Sequence, residues 1–184
     1  MPLHFDSKEF GNRRNRLLEL MAGSELDGML IFRQESMFYL TGYDTFGYVF
    51  FQCLFLGGDG KLILLTRVPD LRQAQNTSII EDIRIWVDGP EVNPALQLKN
   101  IWLECGCAGK RLGVEYDSYG LTAKNGKMLD YVLDGFCRLT DASNLVNLLR
   151  VVKSPEELVY VQKAAELADE ALDEAHQLSE EWMR

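Results

Sequence analysis

The side chains able to do chemistry here are few. They are four cysteines, two histidines, and one stretch that sets aromatic rings beside a carboxylate. Cys105-Gly106-Cys107 is a two-thiol pair without the second pair that a structural zinc site needs. A Cys–His enzyme needs an imidazole placed to deprotonate its thiol. His4 falls at a terminus and His176 near the end of the last predicted helix, so the sequence sets neither beside a cysteine. No Gly-x-Ser-x-Gly elbow occurs. Gly106-Cys107-Ala108-Gly109-Lys110-Arg111 resembles a phosphate loop only faintly. It has Glu104 where the first glycine belongs and no Ser or Thr after the lysine, and it reads better as a helix-to-strand turn. Asp59 with Asp70 and Asp130 with Asp141 are similarly spaced carboxylate pairs, but Asp59 belongs to a turn and Asp130 to a solvated helix face.

The unusual stretch is Tyr39-Leu40-Thr41-Gly42-Tyr43-Asp44-Thr45-Phe46-Gly47-Tyr48. Glycines let its backbone turn, and loops that carry exposed rings bind ligands. The plainer alternative is that the rings cover the end of a sheet. Arg67, Asp70 and Arg72 follow a predicted strand. They could orient an anionic group through charge-assisted hydrogen bonds, or pair among themselves on the surface.

These residues need elements to position them. Residues 8–23 have helical spacing, with Phe10, Leu17, Leu20 and Met21 on one side, Arg13, Arg14 and Arg16 elsewhere, and Gly23 as the stop. Met29 to Phe32 is an apolar run of strand length whose lack of alternation predicts cover on both faces. A short helix over 36–40 leads into the aromatic loop. Strands over 49–56 and 61–66 flank Gly57-Gly58-Asp59-Gly60 and form a hairpin. A short helix over 69–76, a strand over 83–87 and a Gly89-Pro90 turn come next. Helices over 93–106, 121–133 (interrupted at Gly126) and 142–151 then alternate with strands over 111–115 and 136–139. The 142–151 helix has Leu145, Leu148, Leu149 and Val152 as its apolar side.

The last helix is the clearest. Ser154-Pro155-Glu156-Glu157 combines an N-cap serine, a proline at the first helical position and a capping-box glutamate. Leu158, Val161, Ala165, Leu167, Ala168, Leu172 and Ala175 form an apolar stripe that must fold back or meet another domain. Alternating elements with short strands predict an α/β layered domain, and the hairpin makes its sheet mixed. The sheet pattern stops near Arg150 to Ser154.

Composition bounds the function. The chain has 184 residues, 47% hydrophobic and 26% charged, which is globular. Nineteen basic against 28 acidic side chains give a net charge of −9. That argues against nucleic acid and against an anionic membrane surface, since each calls for a basic face. No stretch approaches the roughly 20 apolar residues of a bilayer span. The N-terminal residues lack a signal-peptide pattern, and reduced thiols are the expectation, so the sequence predicts a cytoplasmic protein.

Several strings resemble the N-terminal domain of the creatinase/prolidase family of Xaa-Pro peptidases, creatinases and related amidohydrolases. They are Leu26-Asp27-Gly28-Met29-Leu30-Ile31, Tyr39-Leu40-Thr41-Gly42 and Leu112-Gly113-Val114-Glu115. The most specific is Leu149-Arg150-Val151-Val152-Lys153-Ser154-Pro155-Glu156-Glu157-Leu158, followed by Ala164-Ala165.

The resemblance implies a three-layer α/β/α fold with a mixed, mostly parallel sheet of about six strands including one hairpin, a ribonuclease H-like motif. It implies a domain over 1–150 and a linking helix over 151–184 toward a pita-bread catalytic domain that this chain lacks. In the family, that downstream domain holds two divalent metal ions (Mn, Co or Zn) on two Asp, one His and two Glu. No metal ligand and no catalytic residue is carried onto this chain, which is expected to be inactive alone. Its implied role is a non-catalytic specificity and dimerisation domain of a dinuclear metallohydrolase cleaving Xaa-Pro peptide or other C–N bonds. Its implied partners are its own catalytic domain and a second copy in a homodimer. The implied substrate contacts are Tyr43, Asp44, Phe46 and Tyr48, with Arg67 as an addition. The stretch from Tyr43 to Gln52 further resembles the ectoine-hydrolase subgroup. Two alternatives remain open: a stand-alone α/β binding or scaffold module, and a cysteine enzyme.

Overall fold

A computed structural model of the chain describes residues 3–89 and 92–182. Pro90, and with it part of the predicted Gly89-Pro90 turn, lies outside the described residues. Residues up to Leu149 form one compact unit and residues from Arg150 onward a second.

The first unit opens with α1 (Ser7–Gly23), whose N-cap Asp6 accepts a hydrogen bond from the Glu9 amide at 2.8 Å. Phe10, Arg13, Leu17 and Met21 repeat at helical spacing and make its buried face. The sequence reading left Arg13 off that face. Burial succeeds because the guanidinium is compensated: Nε donates to Glu9 Oε1 at 2.9 Å and Nη1 to the Tyr39 carbonyl at 2.9 Å. It also lies over the Phe5 and Tyr39 rings at 4.0 and 4.4 Å.

Then come β1 (Gly28–Ile31), α2 (Gln34–Thr41), β2 (Cys53–Gly57), β3 (Leu62–Arg67), α3 (Leu71–Thr77) and β4 (Asp82–Trp86). They are followed by α4 (Pro94–Glu104), β5 (Arg111–Val114), α5 (Ala123–Leu133), β6 (Arg138–Asp141) and α6 (Leu145–Val151). One six-stranded sheet has the order β4-β3-β2-β1-β5-β6. β2 runs antiparallel to both β1 and β3, and the remaining neighbours are parallel. The sheet is therefore mixed and mostly parallel, with the expected hairpin at β2–β3.

Both faces are covered. Leu30, Phe55, Ile63 and Leu65 pack with Leu98, Trp102, Leu129 and Leu133 of α4 and α5. Met29, Ile31, Leu54 and Leu64 point the other way, toward Leu17, Met37, Ala74 and Val146 of α1, α2, α3 and α6. Alternate residues of β1 thus serve opposite layers, which is why the run is apolar throughout.

Three further expectations change. The strand predicted from residue 49 begins at Cys53, because residues 47–49 form a 3-10 turn. α5 runs unbroken through Gly126, which is buried within it. α6 buries Val146 and Leu149, and Leu148 is exposed.

The second unit contains α7 (Pro155–Trp182). Its cap is reciprocal: the Glu157 amide donates to Ser154 Oγ at 3.2 Å, and the Ser154 amide donates to Glu157 Oε2 at 2.8 Å. Among the described residues, no helix is long and apolar enough to cross a membrane.

Candidate functional site

The aromatic loop sits where α2 ends and β2 begins. α2 is set first from below. Glu115, at the end of β5, is fully buried and accepts from the Phe32 amide (3.0 Å), the Arg33 amide (2.7 Å) and Ser36 Oγ (2.6 Å). It therefore satisfies donors at the entry to α2. Burial nevertheless outweighs these three bonds and holds its carboxyl above the usual carboxylate range. α2 stops at Gly42, whose φ of +79° is the left-handed cap that glycine takes without strain.

Beyond Gly42 the chain divides its side chains between inside and outside. Tyr43 goes in. It is wholly buried, and its hydroxyl donates to Gln52 Oε1 at 2.6 Å, beside Thr66 Oγ1, which donates to the same oxygen at 2.9 Å. Burial pushes the Tyr43 phenol up. Of the two readings open for the rings of this stretch, Tyr43 takes the covering one, drawn under by Gln52 before β2 and Thr66 of β3. Thr45 is also buried, donating to Asp70 Oδ1 at 3.0 Å and accepting from the Gly47 amide at 2.9 Å. Gly47 lies so close to Asp70 and Gln52 that a Cβ there would overlap both side chains.

Phe46 and Tyr48 go out, with 87% and 45% of their surfaces exposed, and Val49 and Phe50 follow them. Asp44 is exposed, and its backbone amide and carbonyl both bond Thr77 Oγ1. Arg67 is turned inward. Its Nε meets Asp70 Oδ2 at 3.3 Å and Nη1 meets Asp88 Oδ2 at 3.2 Å, with the guanidinium 3.3 Å from the Phe50 ring centre. Arg67 and Asp70 therefore pair with each other, while Arg72 stays exposed.

Two residues that sequence reasoning missed join this rim. Tyr119 packs edge-to-face on Tyr48 at 5.7 Å, and its hydroxyl donates to Glu35 Oε2 at 2.7 Å. Partial burial and that carboxylate push the Tyr119 phenol up to about 12. The signal was an aromatic in the loop past β5, like the rings of the 43–48 loop. The antiparallel pairing of β1 with β2 and its parallel pairing with β5 together bring the two loops to the same sheet end.

The opposite end of these strands holds a cleft of about 600 Å³ lined by Asp27, Asp59, Lys61, Cys105, Cys107 and Lys110. The segment that faintly resembled a phosphate loop runs along it as the turn from α4 into β5. Burial pushes the Cys107 and Cys137 thiols up to about 11 and Cys53 well above the usual thiol range. These thiols are protonated at neutral pH, the opposite of an activated nucleophile. Among the described residues, no three His, Cys, Asp or Glu side chains are grouped to hold a metal ion. The rim presents the exposed Phe46 and Tyr48 rings beside the exposed Asp44 and Glu35 carboxylates.

Comparison with known proteins agrees with this architecture. The model of the creatinase/prolidase N-terminal domain matches residues 13–152. The chain is 30% identical over 172 residues to the ectoine hydrolase of Halomonas elongata, covering 90% of this chain and 43% of that protein. A dipeptidase from Pyrococcus horikoshii OT3 shares the fold, with a TM-score of 0.72 at 24% identity over 88% of this chain and 43% of its own. The N-terminal domain of the cytoplasmic peptidase PepQ from Mycobacterium tuberculosis H37Rv is 26% identical with a TM-score of 0.55, covering 75% of this chain and 98% of that domain. The chain spans less than half the length of the curated relatives it matches. The six-stranded mixed sheet, the helices on both its faces and the family match over most of the chain lead to one assignment: this chain belongs to the creatinase/prolidase N-terminal domain family.

Proposed function

We propose that this chain is the non-catalytic specificity and dimerisation part of a dinuclear metallohydrolase that cleaves C–N bonds. The observation that carries the proposal is the division of labour in one loop. Phe46 and Tyr48 are exposed, while Tyr43, Thr45 and Gln52 of the same segment are buried and hydrogen-bonded. A loop held that firmly can line a substrate entrance and exclude water.

In this reading Asp44, Phe46 and Tyr48 contact substrate, and Tyr43 supports them from within. Residues 1–150 are the specificity domain, and 151–184 link it to a downstream catalytic domain. Two divalent metal ions there, Mn, Co or Zn, supply the activation of water. The protein works in the cytoplasm as a homodimer, each loop reaching the mouth of its partner's active site. Likeness to an ectoine hydrolase and to a dipeptidase supports small substrates, either a modified amino acid of the ectoine type or a dipeptide.

The test uses the protein that carries both this chain and the downstream domain. Steady-state kinetics on Xaa-Pro dipeptides, creatine and ectoine identify the preferred substrate. Phe46→Ala and Tyr48→Ala are each expected to raise its KM about tenfold, the equivalent of ~1.4 kcal/mol. Unchanged KM and kcat across the panel would contradict the entrance role.

A further inference from the structure

We infer that Arg67 and Asp70 are positioning residues that fix the aromatic loop in its projecting shape. Two of the loop's attachments to the body of the domain, at Thr45 and at Phe50, converge on this pair, apart from those of Asp44 to Thr77 and of Tyr48 to Tyr119. Asp70 is buried; its Oδ1 takes the Thr45 hydroxyl at 3.0 Å and its Oδ2 takes Arg67 Nε at 3.3 Å. Thr45 Oγ1 in turn accepts the Gly47 amide at 2.9 Å, and the Phe50 amide donates to the Gly47 carbonyl at 2.9 Å. At the far side of the loop the Phe50 ring lies against the guanidinium of Arg67, which Asp88 holds from a third direction at 3.2 Å.

The Arg67 side chain is only 12% exposed, with Nε and Nη1 each held by a carboxylate and the plane of the guanidinium set against a ring. Phe46 and Tyr48 lie between the two fastened points, Thr45 and Phe50. Releasing the Arg67–Asp70 pair therefore loosens the segment that carries both rings, leaving Tyr48 only its packing on Tyr119, while β2 and β3 keep their own ladder. The consequence for substrate rests on the entrance role proposed above; the positioning itself does not.

The two claims separate experimentally. Chymotrypsin cleaves after Phe and Tyr, so cleavage after Phe46, Tyr48 and Phe50 in the 184-residue chain reads the loop directly. Arg67→Met keeps the apolar stem over Phe50 and removes the charge; Asp70→Asn keeps the shape. Both are expected to raise the cleavage rate at these sites at least tenfold, with the far-ultraviolet spectrum unchanged, and Arg67→Lys is expected to recover part of the protection. Cleavage within twofold of the native chain in both variants would overturn the inference. So would loss of the whole fold in both, which would make the pair part of the core. In the longer enzyme, a freed loop with unchanged KM upholds the positioning and overturns the entrance role; a freed loop with raised KM supports both.

Discussion

The Thr45 hydroxyl donates to the buried Asp70 carboxylate at 3.0 Å, joining the aromatic loop to the turn that follows β3. This bond decides that Thr45 points inward while its neighbours Asp44 and Phe46 point outward. Thr45→Val keeps the shape and removes both the donor to Asp70 and the acceptor for the Gly47 amide. The expected cost is about 1–2 kcal/mol, read as a lower urea midpoint at unchanged slope. A midpoint equal to the native value would show that the loop is held by other contacts.

Glu115 makes stability depend on pH in an unusual direction. Burial raises its folded-state value above the unfolded one, so the folded chain binds the proton more tightly. The contribution is full below the ordinary carboxylate value and is lost as pH rises through the raised one. Asp27, Asp82 and Asp141 are shifted downward and act in the opposite sense at lower pH, so the native profile alone mixes the two. Glu115→Gln does not titrate at this position. The stability difference between native and variant is therefore expected to shrink as pH rises from 4 to 8, measured by urea unfolding at each pH. A difference that grows with pH would mean that the three donated hydrogen bonds outweigh burial.

The thiols are expected to be slow toward iodoacetamide at neutral pH. Cys53 is fully buried, and Cys107 and Cys137 are pushed up to about 11. Cys105, the half-buried thiol of the Cys105-Gly106-Cys107 pair, should be modified before Cys107, and Cys53 only on unfolding. Mass spectrometry of timed samples checks the order. Rapid modification of Cys107 in the folded chain would reopen the cysteine-enzyme alternative.

Much of the fold was legible because its signals are local. The capping box at Ser154 and Glu157, the glycine turn between β2 and β3 and the unbroken apolar run of β1 are each written within a few residues. What escaped depends on distant partners. Arg13 reads as solvent-facing until Glu9 and the Tyr39 carbonyl are placed around it. Tyr43 reads equally as a ligand-facing ring or as cover for the sheet end until Gln52 and Thr66 meet its hydroxyl. The 3-10 turn before β2 forms beside Asp70, past the next hairpin, so residues 49–52 read as strand from propensity alone. At the candidate site, Phe46 and Tyr48 were legible as loop aromatics. Tyr119 and Glu35 were not, since the packing of Tyr119 on Tyr48 depends on neighbouring strands β1 and β5.

The central claim is that this chain shapes an entrance and cleaves no bond itself. Its most direct test is turnover by the purified 184-residue chain, supplied in turn with Mn, Co and Zn, on Xaa-Pro dipeptides, creatine and ectoine. No hydrolysis above the metal-only control is expected with any of them. Saturable, metal-dependent hydrolysis by this chain alone would contradict the account.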